Sequence, residues 1–401
     1  MKILLSLFMA IPLSLMSFEV QSQNLISDFL HSSKIRYEKG MVDPQNSATI
    51  HFVMGNESAD LDSITSSIAY AYLLDRENHT SQTELYIPLI NIPREELALR
   101  KDVLYLLNLL NISVDDILFL DDNTVLDSLF AQKRLRLNLV DHNVLKPKLE
   151  HLSDAVERII DHHHEENKFY PLIAKNDKSI IVVGSNATLV AEKILFSSQV
   201  KMFPQLAVLL LAPILIDTSN LKAVEKTTCR DVGTTKALRN FTSTLLPADF
   251  YQKLLAAKND ISGLTPTMLL TKDFKEYLDG SVLYGISSIA SAICWTQVDL
   301  DIVGPEIQKY ARKRNLDYLI LLMSCKETQA KRKLLVYSPS MDLLRAFNAY
   351  VQDDEILKEL LIPDGFSEKY QTAFYKTEKS VARKQLQPLF DFSGSIPAQR
   401  L

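Results

Sequence analysis

Residues 135–143 read LRLNLVDHN and residues 155–164 read AVERIIDHHH. Both segments repeat one pattern, in which a short apolar run stops at an aspartate that is followed by a histidine. Short apolar runs predict buried β-strands, here Leu135–Val140 and Ala155–Ile160. Because the carboxyl ends of parallel strands share one edge of a sheet, Asp141 and Asp161 are expected to lie close together at that edge.

The same alternation of strand and helix extends on both sides of this stretch. Further predicted strands are Thr49–Met54, Leu85–Ile90, Ile117–Leu120 and Ile180–Val183. Predicted helices are one that contains Ile64, Ile68, Ala71 and Tyr72, and then Glu95–Asn111, Leu189–Phe196 and Gln205–Ile216. Strands that alternate with helices predict an α/β fold with a doubly wound parallel sheet, over residues 23–239.

A second, smaller α/β domain is predicted for residues 248–401. The pattern of aspartates after strands ends beyond Asp231, and residues 240–247 are a plausible connection between domains. The predicted elements of the second domain are helices Phe250–Lys258 and Pro305–Asn315, and strands Val282–Ile289, Tyr318–Met323 and Leu334–Tyr337.

Acidic side chains follow the predicted elements of the first domain. Asp60 and Asp62 lie in the loop after the first strand, and Asp217 ends a helix, where its charge opposes the helix dipole. Together with Asp141 and Asp161 these carboxylates would repel one another at one sheet edge, so they require divalent cations between them. Taken alone, an Asp-x-Asp loop also fits solvated carboxylates.

The histidine run after Asp161 adds nitrogen ligands to this edge. Imidazole is a good ligand for manganese and other transition ions, and carboxylates suit magnesium and manganese. One histidine can bind a metal while the next donates a hydrogen bond to phosphate, and Asp161 can orient its neighbours. A solvated charged loop is the alternative interpretation of the run.

The turn Gly184–Thr188 precedes a predicted helix, and its exposed amides could hold an anion. A capped helix start without a ligand fits the same residues.

The composition excludes several classes of protein. The chain has 401 residues, 47% hydrophobic and 23% charged, which is ordinary for a globular protein with room for two domains. A net charge of −5 gives no general reason to bind nucleic acid or an anionic membrane. The three cysteines show no metal-ligand pattern and are predicted to be buried thiols: Cys229, Cys294 and Cys325.

Residues 1–22 have features of a secretory signal peptide. Lys2 precedes an apolar run, Ile3–Met16, and Val20-Gln21-Ser22 offers small residues suited to cleavage. The run is too short to span a bilayer comfortably. An atypical, uncleaved N-terminus is the alternative.

Two motifs, Asp161-His162-His163 and residues 55–63 (GNESADLDS), give the chain a resemblance to the DHH phosphoesterase superfamily. Within it, the chain is similar to the branch of exopolyphosphatases, prune-type phosphodiesterases and family II inorganic pyrophosphatases. The resemblance extends roughly from Asn24 to the C-terminus, and residues 55–63 are most similar to the first exopolyphosphatase motif. It implies an N-terminal DHH domain, a C-terminal DHH-associated domain that binds substrate, and an active site in the cleft between them.

The resemblance also implies two divalent cations, Mn²⁺ or Mg²⁺, and a ligand set for them. Asp60 and Asp62 would face different metals, and Asp141 and Asp217 would bridge both. His162 would bind the second metal.

Other residues would contact the substrate by the same resemblance. His163 would contact the phosphoryl group. Asp161 would orient the neighbouring histidines without binding a metal itself. Related pyrophosphatases have a histidine where this chain has Asn56, which leaves Asn56 as a weak metal or substrate contact. That difference favours an exopolyphosphatase or prune-like activity over a pyrophosphatase.

The second domain would bring cations to the substrate phosphates. The residues that match the family are Lys275, Arg383 and Lys384, although Ala382 stands where the last motif usually has a further basic residue. An exposed basic surface is the alternative interpretation. The runs Arg312–Arg314 and Lys331–Lys333 could follow a long polyanion, but solvated charge fits them better.

These inferences predict an exopolyphosphatase that removes terminal orthophosphate from inorganic polyphosphate. The alternative enzymes are a prune-like phosphodiesterase or a short-chain polyphosphatase acting on cyclic nucleotides, nucleoside tetraphosphates or tripolyphosphate. A catalytically inactive interaction protein is the non-enzyme alternative. No nucleic-acid partner or stable membrane association is expected, and the oligomeric state is left open. The resemblance implies a cytoplasmic protein, whereas residues 1–22 favour the secretory pathway, with an extracellular or vacuolar location.

Overall fold

The structure is a computed structural model that describes residues 24–43, 47–78, 80–81, 83–121, 125–168, 170–174, 177–242, 245–289, 300–323, 332–378 and 381–392. The predicted signal peptide, residues 1–22, lies outside the described residues, as do Cys294 and Cys325. Within the described ranges, every helix is too short or too polar to traverse a lipid bilayer.

The first domain is built on a parallel six-stranded sheet. Its strands are β1 (Thr49–Met54), β2 (Glu84–Ile90), β3 (Leu118–Phe119), β4 (Leu135–Val140), β5 (Val156–Asp161) and β6 (Lys178–Ile180). The strand order is β3-β2-β1-β4-β5-β6, and neighbouring strands are parallel throughout. Chain order reverses between β1 and β4, where an open sheet leaves a crevice for ligands. The predicted doubly wound parallel sheet is therefore confirmed.

Helices cover this sheet and bury two apolar clusters against it. They are α1 (Leu25–Val42), α2 (Leu61–Glu77), α3 (Lys101–Leu109), α4 (Leu126–Ala131), α5 (Asn186–Phe196), α6 (Pro204–Asp217) and α7 (Cys229–Arg239). The predicted helix Glu95–Asn111 is divided into a 3₁₀ helix, Arg94–Leu99, and α3. Arg100 separates the two with a non-helical backbone, and its buried guanidinium donates to the Ser58 carbonyl at 2.6 and 3.1 Å.

Two other predictions for the first domain need correction. The predicted strand Ile180–Val183 is shifted, because β6 pairs with β5 only as far as Ile180 and the chain then leaves the sheet, with Val182 78% exposed. Cys229, predicted to be buried, is exposed. It is the first residue of α7, whose start is held by hydrogen bonds between Thr228 and Asp231 rather than by apolar packing.

The second domain contains a mixed six-stranded sheet. Its strands are β7 (Phe274–Asp279), β8 (Val282–Ile289), β9 (Tyr318–Met323), β10 (Arg332–Tyr337), β11 (Ile362–Ser367) and β12 (Thr372–Thr377), in the order β11-β12-β10-β9-β8-β7. Only β8 and β9 are parallel neighbours among these described strands. Five helices accompany it: α9 (Pro266–Lys272), α10 (Leu300–Lys313), α11 (Met341–Asp353), α12 (Glu355–Leu360) and α13 (Arg383–Leu386).

One helix between the sheets, α8 (Phe250–Asn259), packs with the first domain. Phe250 and Leu254 are buried in the same apolar cluster as the inner faces of α2, α5 and α6. Just beyond α8, Lys101 of the first domain forms an ion pair with Asp260 at 2.8 Å. α8 therefore packs against the first domain, just after the connection predicted at residues 240–247.

Candidate active site

A cleft with a volume of about 960 Å³ separates the two domains. One wall is the edge of the first sheet where β1, β4 and β5 end, and the opposite wall includes β7 and α13. The side chains selected from the sequence all line this cleft: Asn56, Asp60, Asp62, Asp141, Asp161, His162, His163, Asp217, Lys275, Arg383 and Lys384. The domains also touch there, since the Glu276 amide donates to Glu57 Oε1 at 3.3 Å.

Asp141 is the hub of the acidic edge. It follows β4 with a left-handed backbone, φ 61°, which turns its buried carboxylate into the cleft. One oxygen accepts hydrogen bonds from Asn56 Nδ2 at 2.8 Å and from the Ser63 hydroxyl. The other lies 3.3 Å from His162 Nε2 and 3.6 Å from His163 Nδ1. Although burial raises the pKa of Asp141, the hydrogen bond with His162 and the charges of both histidines hold that pKa well below its usual range.

Asp62 caps a helix from a distant part of the chain. Its two oxygens accept the backbone N–H groups of Asn186 at 2.6 Å and Ala187 at 2.8 Å, which begin α5. The turn predicted to bind an anion, Gly184–Thr188, therefore binds one of the protein's own carboxylates. The contact favours the alternative interpretation, a capped helix start without a ligand.

Asp60 has a different local role in the same loop. It is the N-cap residue of α2 and accepts the Ser63 N–H at 3.0 Å. The loop needs glycine at Gly55, because a Cβ there would lie 2.7 Å from the Ser63 Cβ. Asn56 holds the loop closed, since its Oδ1 accepts from the Ser58 N–H at 2.9 Å and from the Ser58 hydroxyl at 2.6 Å.

Asp161 fixes both histidines that follow it. One carboxylate oxygen accepts the backbone N–H groups of His162 at 2.7 Å and His163 at 3.1 Å, and lies 2.8 Å from His163 Nδ1. The other oxygen accepts from Asn143 Nδ2 at 2.6 Å. His162 Nδ1 lies 2.9 Å from the Val183 carbonyl, so it carries the hydrogen and Nε2 points towards Asp141.

The donor atoms fit divalent cations. One ligand atom from each of Asp141, His162 and His163 lies within 4.8 Å of the others. Burial raises the pKa of Asp60 and of Asp62, and the neighbouring Asp141 carboxylate raises both further. A raised pKa is expected for neighbouring carboxylates that lack positive charge between them. A divalent cation would supply that charge.

Asp217 ends α6 and faces the same cleft. Burial raises its pKa to about 6, the charge of Lys258 opposes this, and Asp60 adds to it. Neither Lys258 nor Lys226, which also lines the cleft, was predicted as a site residue. The available signal for Lys258 was its spacing on α8, four residues after Leu254 and eight after Phe250, which places it on the face that packs inwards.

The basic residues of the second domain differ in how they are held. Lys275 lies on β7 and faces the acidic edge. Arg383, on α13, donates to the Asp273 carbonyl at 2.7 Å and forms an ion pair with its carboxylate at 2.7 Å. Burial lowers the pKa of Arg383, but the charge of Asp273 and its hydrogen bond, together with Tyr277 and Glu57, raise that pKa above its usual value. Lys384, beside it, is exposed at the mouth of the cleft.

The two basic runs lie outside the acidic edge. Arg312 and Lys313 are exposed, whereas Arg314 stacks over the Phe274 ring at 4.5 Å. Of the second run, Lys331 is outside the described residues, Arg332 lines the cleft, and Lys333 pairs with Asp364 at 3.3 Å.

Two α/β domains with a carboxylate and histidine centre in the cleft between them are typical of a metal-dependent hydrolase. Residues 51–214 match the DHH family, N-terminal domain, and residues 252–391 match the DHHA2 domain. The chain belongs to the DHH phosphoesterase family, in the branch that carries a DHHA2 domain.

Individual relatives agree with this assignment. A putative exopolyphosphatase of Schizosaccharomyces pombe is 38% identical over 306 residues, covering 71% of this chain and 76% of the relative. Human exopolyphosphatase PRUNE1 is 30% identical over 349 residues, covering 86% of this chain and 76% of the relative. A manganese-dependent inorganic pyrophosphatase of Methanothrix thermoacetophila is 25% identical over 323 residues, covering 78% and 93%.

The fold has a counterpart among solved structures. A putative family II inorganic pyrophosphatase of Methanococcus jannaschii superposes with a TM-score of 0.58 and 19% identity, covering 84% of this chain and 97% of that one. At this level of identity the likeness concerns the fold.

Proposed function

We propose that this protein is an exopolyphosphatase, a hydrolase that releases terminal orthophosphate from inorganic polyphosphate with the help of divalent metal ions. The observation that carries the proposal is the convergence of buried carboxylates and histidines at one sheet edge, opposite the cations of the second domain. Two relatives with high coverage are named exopolyphosphatases, which supports the choice of substrate.

We propose two cations, Mn²⁺ or Mg²⁺, held by Asp60, Asp62, Asp141, His162 and Asp217. Bound there, they would polarise the phosphoryl group and acidify water. The name of a manganese-dependent relative supports divalent-metal dependence. Asn56 is a poor candidate for a ligand, because its oxygen already accepts two hydrogen bonds from Ser58.

The protein's own groups orient and stabilise the substrate. Asp161 holds His163 by its Nδ1. The opposite ring nitrogen can donate to a phosphoryl oxygen once the ring is protonated, a state that the negative charge of a bound phosphate would favour. Lys275 and Arg383 stabilise negative charge on the transferred group from the other wall. Because Asp273 orients the Arg383 guanidinium before substrate arrives, little side-chain entropy is lost on binding.

Binding can draw the two walls together. The proposed metal ligands belong to the first domain, whereas Lys275 and Arg383 belong to the second. A polyanion that contacts both walls favours the closed arrangement and excludes water from the cleft. We propose a cytoplasmic location, supported by the family resemblance; cell fractionation would test it against the secretory alternative.

A prune-like phosphodiesterase or a short-chain polyphosphatase would use the same site. An inactive scaffold would have no electrostatic reason to retain mutually repelling carboxylates at Asp60, Asp62 and Asp217. The hydrogen bond from Asn56 to Asp141 counts against an efficient pyrophosphatase, since a neutral donor stands where related pyrophosphatases have an imidazole.

The decisive experiment measures phosphate release from polyphosphates of defined length, from pyrophosphate and from a cyclic nucleotide, each with Mn²⁺, Mg²⁺ or EDTA. We expect release of orthophosphate from polyphosphate that is abolished by EDTA. Cleavage of the cyclic nucleotide with long polyphosphate left intact would refute the proposal in favour of the phosphodiesterase.

A further inference from the structure

Three lysines form a second cationic group at the side of the cleft that faces Asp217. Lys226 lies in the loop between α6 and α7, Lys258 on α8, and Lys384 on α13. All three line the cleft. They come from three separate segments and from both domains, so their convergence is a product of the fold.

The three lysines lie close enough for their charges to interact. Burial lowers the pKa of Lys226, and the charges of Lys384 and Lys258 lower it further, while Asp217 raises it. In the described part of the chain, none of the three ammonium groups has an ion pair or a hydrogen bond with a carboxylate. Of the carboxylates whose charges raise the pKa of Lys258, Asp217 and Asp60 are proposed metal ligands, so their charge would be shared with the metal ions.

The lysine group and Lys275 act on overlapping sets of charges. Lys258 and Lys275 both act on Asp60, and Lys258 also acts on Asp217 and Lys226. The carboxylate centre therefore faces cations from several segments, as does a site that binds several phosphates in a row.

We propose that Lys226, Lys258 and Lys384 form a subsite for the phosphates of the polyphosphate chain that lie behind the scissile one. The inference rests on the proposed function and names the residues that favour chains of three or more phosphates. Lysine suits this task because its ammonium group is a point charge with three rotatable donors, which tolerates a flexible polyanion. Binding across Lys258 and Lys384 would also bridge the two domains.

The test compares Lys226→Gln and Lys258→Gln with Lys253→Gln. Lys253 is on the same helix as Lys258, is 54% exposed and pairs with Asp249 at 3.1 Å, so it controls for loss of a charge from α8. For tripolyphosphate, we expect each cleft variant to raise KM about tenfold, the equivalent of one lost charged contact, with kcat little changed. The inhibition constant of pyrophosphate against tripolyphosphate hydrolysis should change less, because pyrophosphate has no third phosphate.

A second readout does not depend on turnover. Acetylation of lysines, mapped by mass spectrometry of peptides, should show that tripolyphosphate protects Lys226 and Lys258 of the wild-type protein and leaves Lys253 reactive. Where the two readouts disagree, protection decides.

The outcomes separate the subsite from the hydrolase. Absence of protection overturns the subsite, while phosphate release by the wild-type protein would still uphold the enzyme. Protection without any phosphate release would uphold the subsite and overturn the exopolyphosphatase.

Discussion

Asn56 donates both to the carboxylate of Asp141, at 2.8 Å, and to its carbonyl, at 3.1 Å. The side-chain amide thereby fixes the backbone and the side chain of the residue at the centre of the acidic edge. Its own oxygen is used by Ser58. Asn56 thus shapes the site as a neutral donor.

Asn56→His should shift the site towards a pyrophosphatase. An imidazole at this position offers a nitrogen lone pair that the amide lacks, so the affinity for Mn²⁺ should rise about tenfold, as expected for a change in the coordination sphere. Isothermal titration with Mn²⁺ measures this, with Asn108→His, at an exposed position, as the control. An unchanged dissociation constant would show that the residue at position 56 does not influence the metal.

Asp141→Asn should lower kcat/KM for polyphosphate by about 10³-fold or more, because several kcal/mol of transition-state stabilisation depend on the bound metals. Asparagine tolerates the left-handed backbone at this position, so circular dichroism should remain that of the wild type. Asp115→Asn, at a side chain that is 98% exposed, is the matched control. A rate within a factor of about two of the wild type would eliminate Asp141 as a metal bridge.

Two substitutions at Asp62 should separate helix capping from metal binding. Asn retains one oxygen to accept from the first turn of α5, whereas Ala retains none, so metal-free Asp62→Ala should be about 1 kcal/mol less stable than metal-free Asp62→Asn. Urea denaturation in EDTA measures the difference. Both variants should lose Mn²⁺ affinity to a similar degree. Equal stability of the pair would mean that the cap contributes nothing.

Metal affinity should rise with pH. Burial raises the pKa of Asp217 to about 6. Burial lowers the pKa of His162, but its hydrogen bond with Asp141 and that carboxylate's charge outweigh burial and raise it to about 9. A metal must displace both protons, so the dissociation constant for Mn²⁺ should fall as pH increases from about 5 to 9.

The same protons affect the metal-free fold. A carboxyl whose pKa is raised in the folded state contributes stability below its usual pKa, and this contribution is lost as pH rises through about 6. Mn²⁺ should therefore raise the thermal midpoint more at about pH 8 than at about pH 5. Equal shifts at the two pH values would contradict the proposed ligands.

Strands buried on both faces could be predicted closely from the sequence. Tyr318–Met323 has the predicted bounds, because a continuous apolar run is typical of such a strand. The edge strand Ile362–Ser367 was not predicted, since it contains proline and glycine and its register is interrupted between Pro363 and Gly365. An edge strand is partly exposed to solvent, so its sequence lacks the apolar run by which a buried strand is recognised.

The candidate site divides in the same way. Asp141 and Asp161 could be predicted because a strand end places them in the first sheet's crevice. The cap formed by Asp62 on Asn186 joins residues 124 positions apart, and no local pattern encodes such a contact. Lys226 and Lys258 were missed for a related reason. Whether their side chains face the cleft depends on how α8 and the loop between α6 and α7 pack in the folded protein.

The anchoring of Phe250 and Leu254 in the first apolar cluster has a practical consequence for dividing the gene. A truncated protein that ended at residue 247 would lack both side chains. The apolar surface that they cover would then be exposed to water and would promote aggregation. A protein that ended at Asn259 would keep Phe250 and Leu254 to cover that surface.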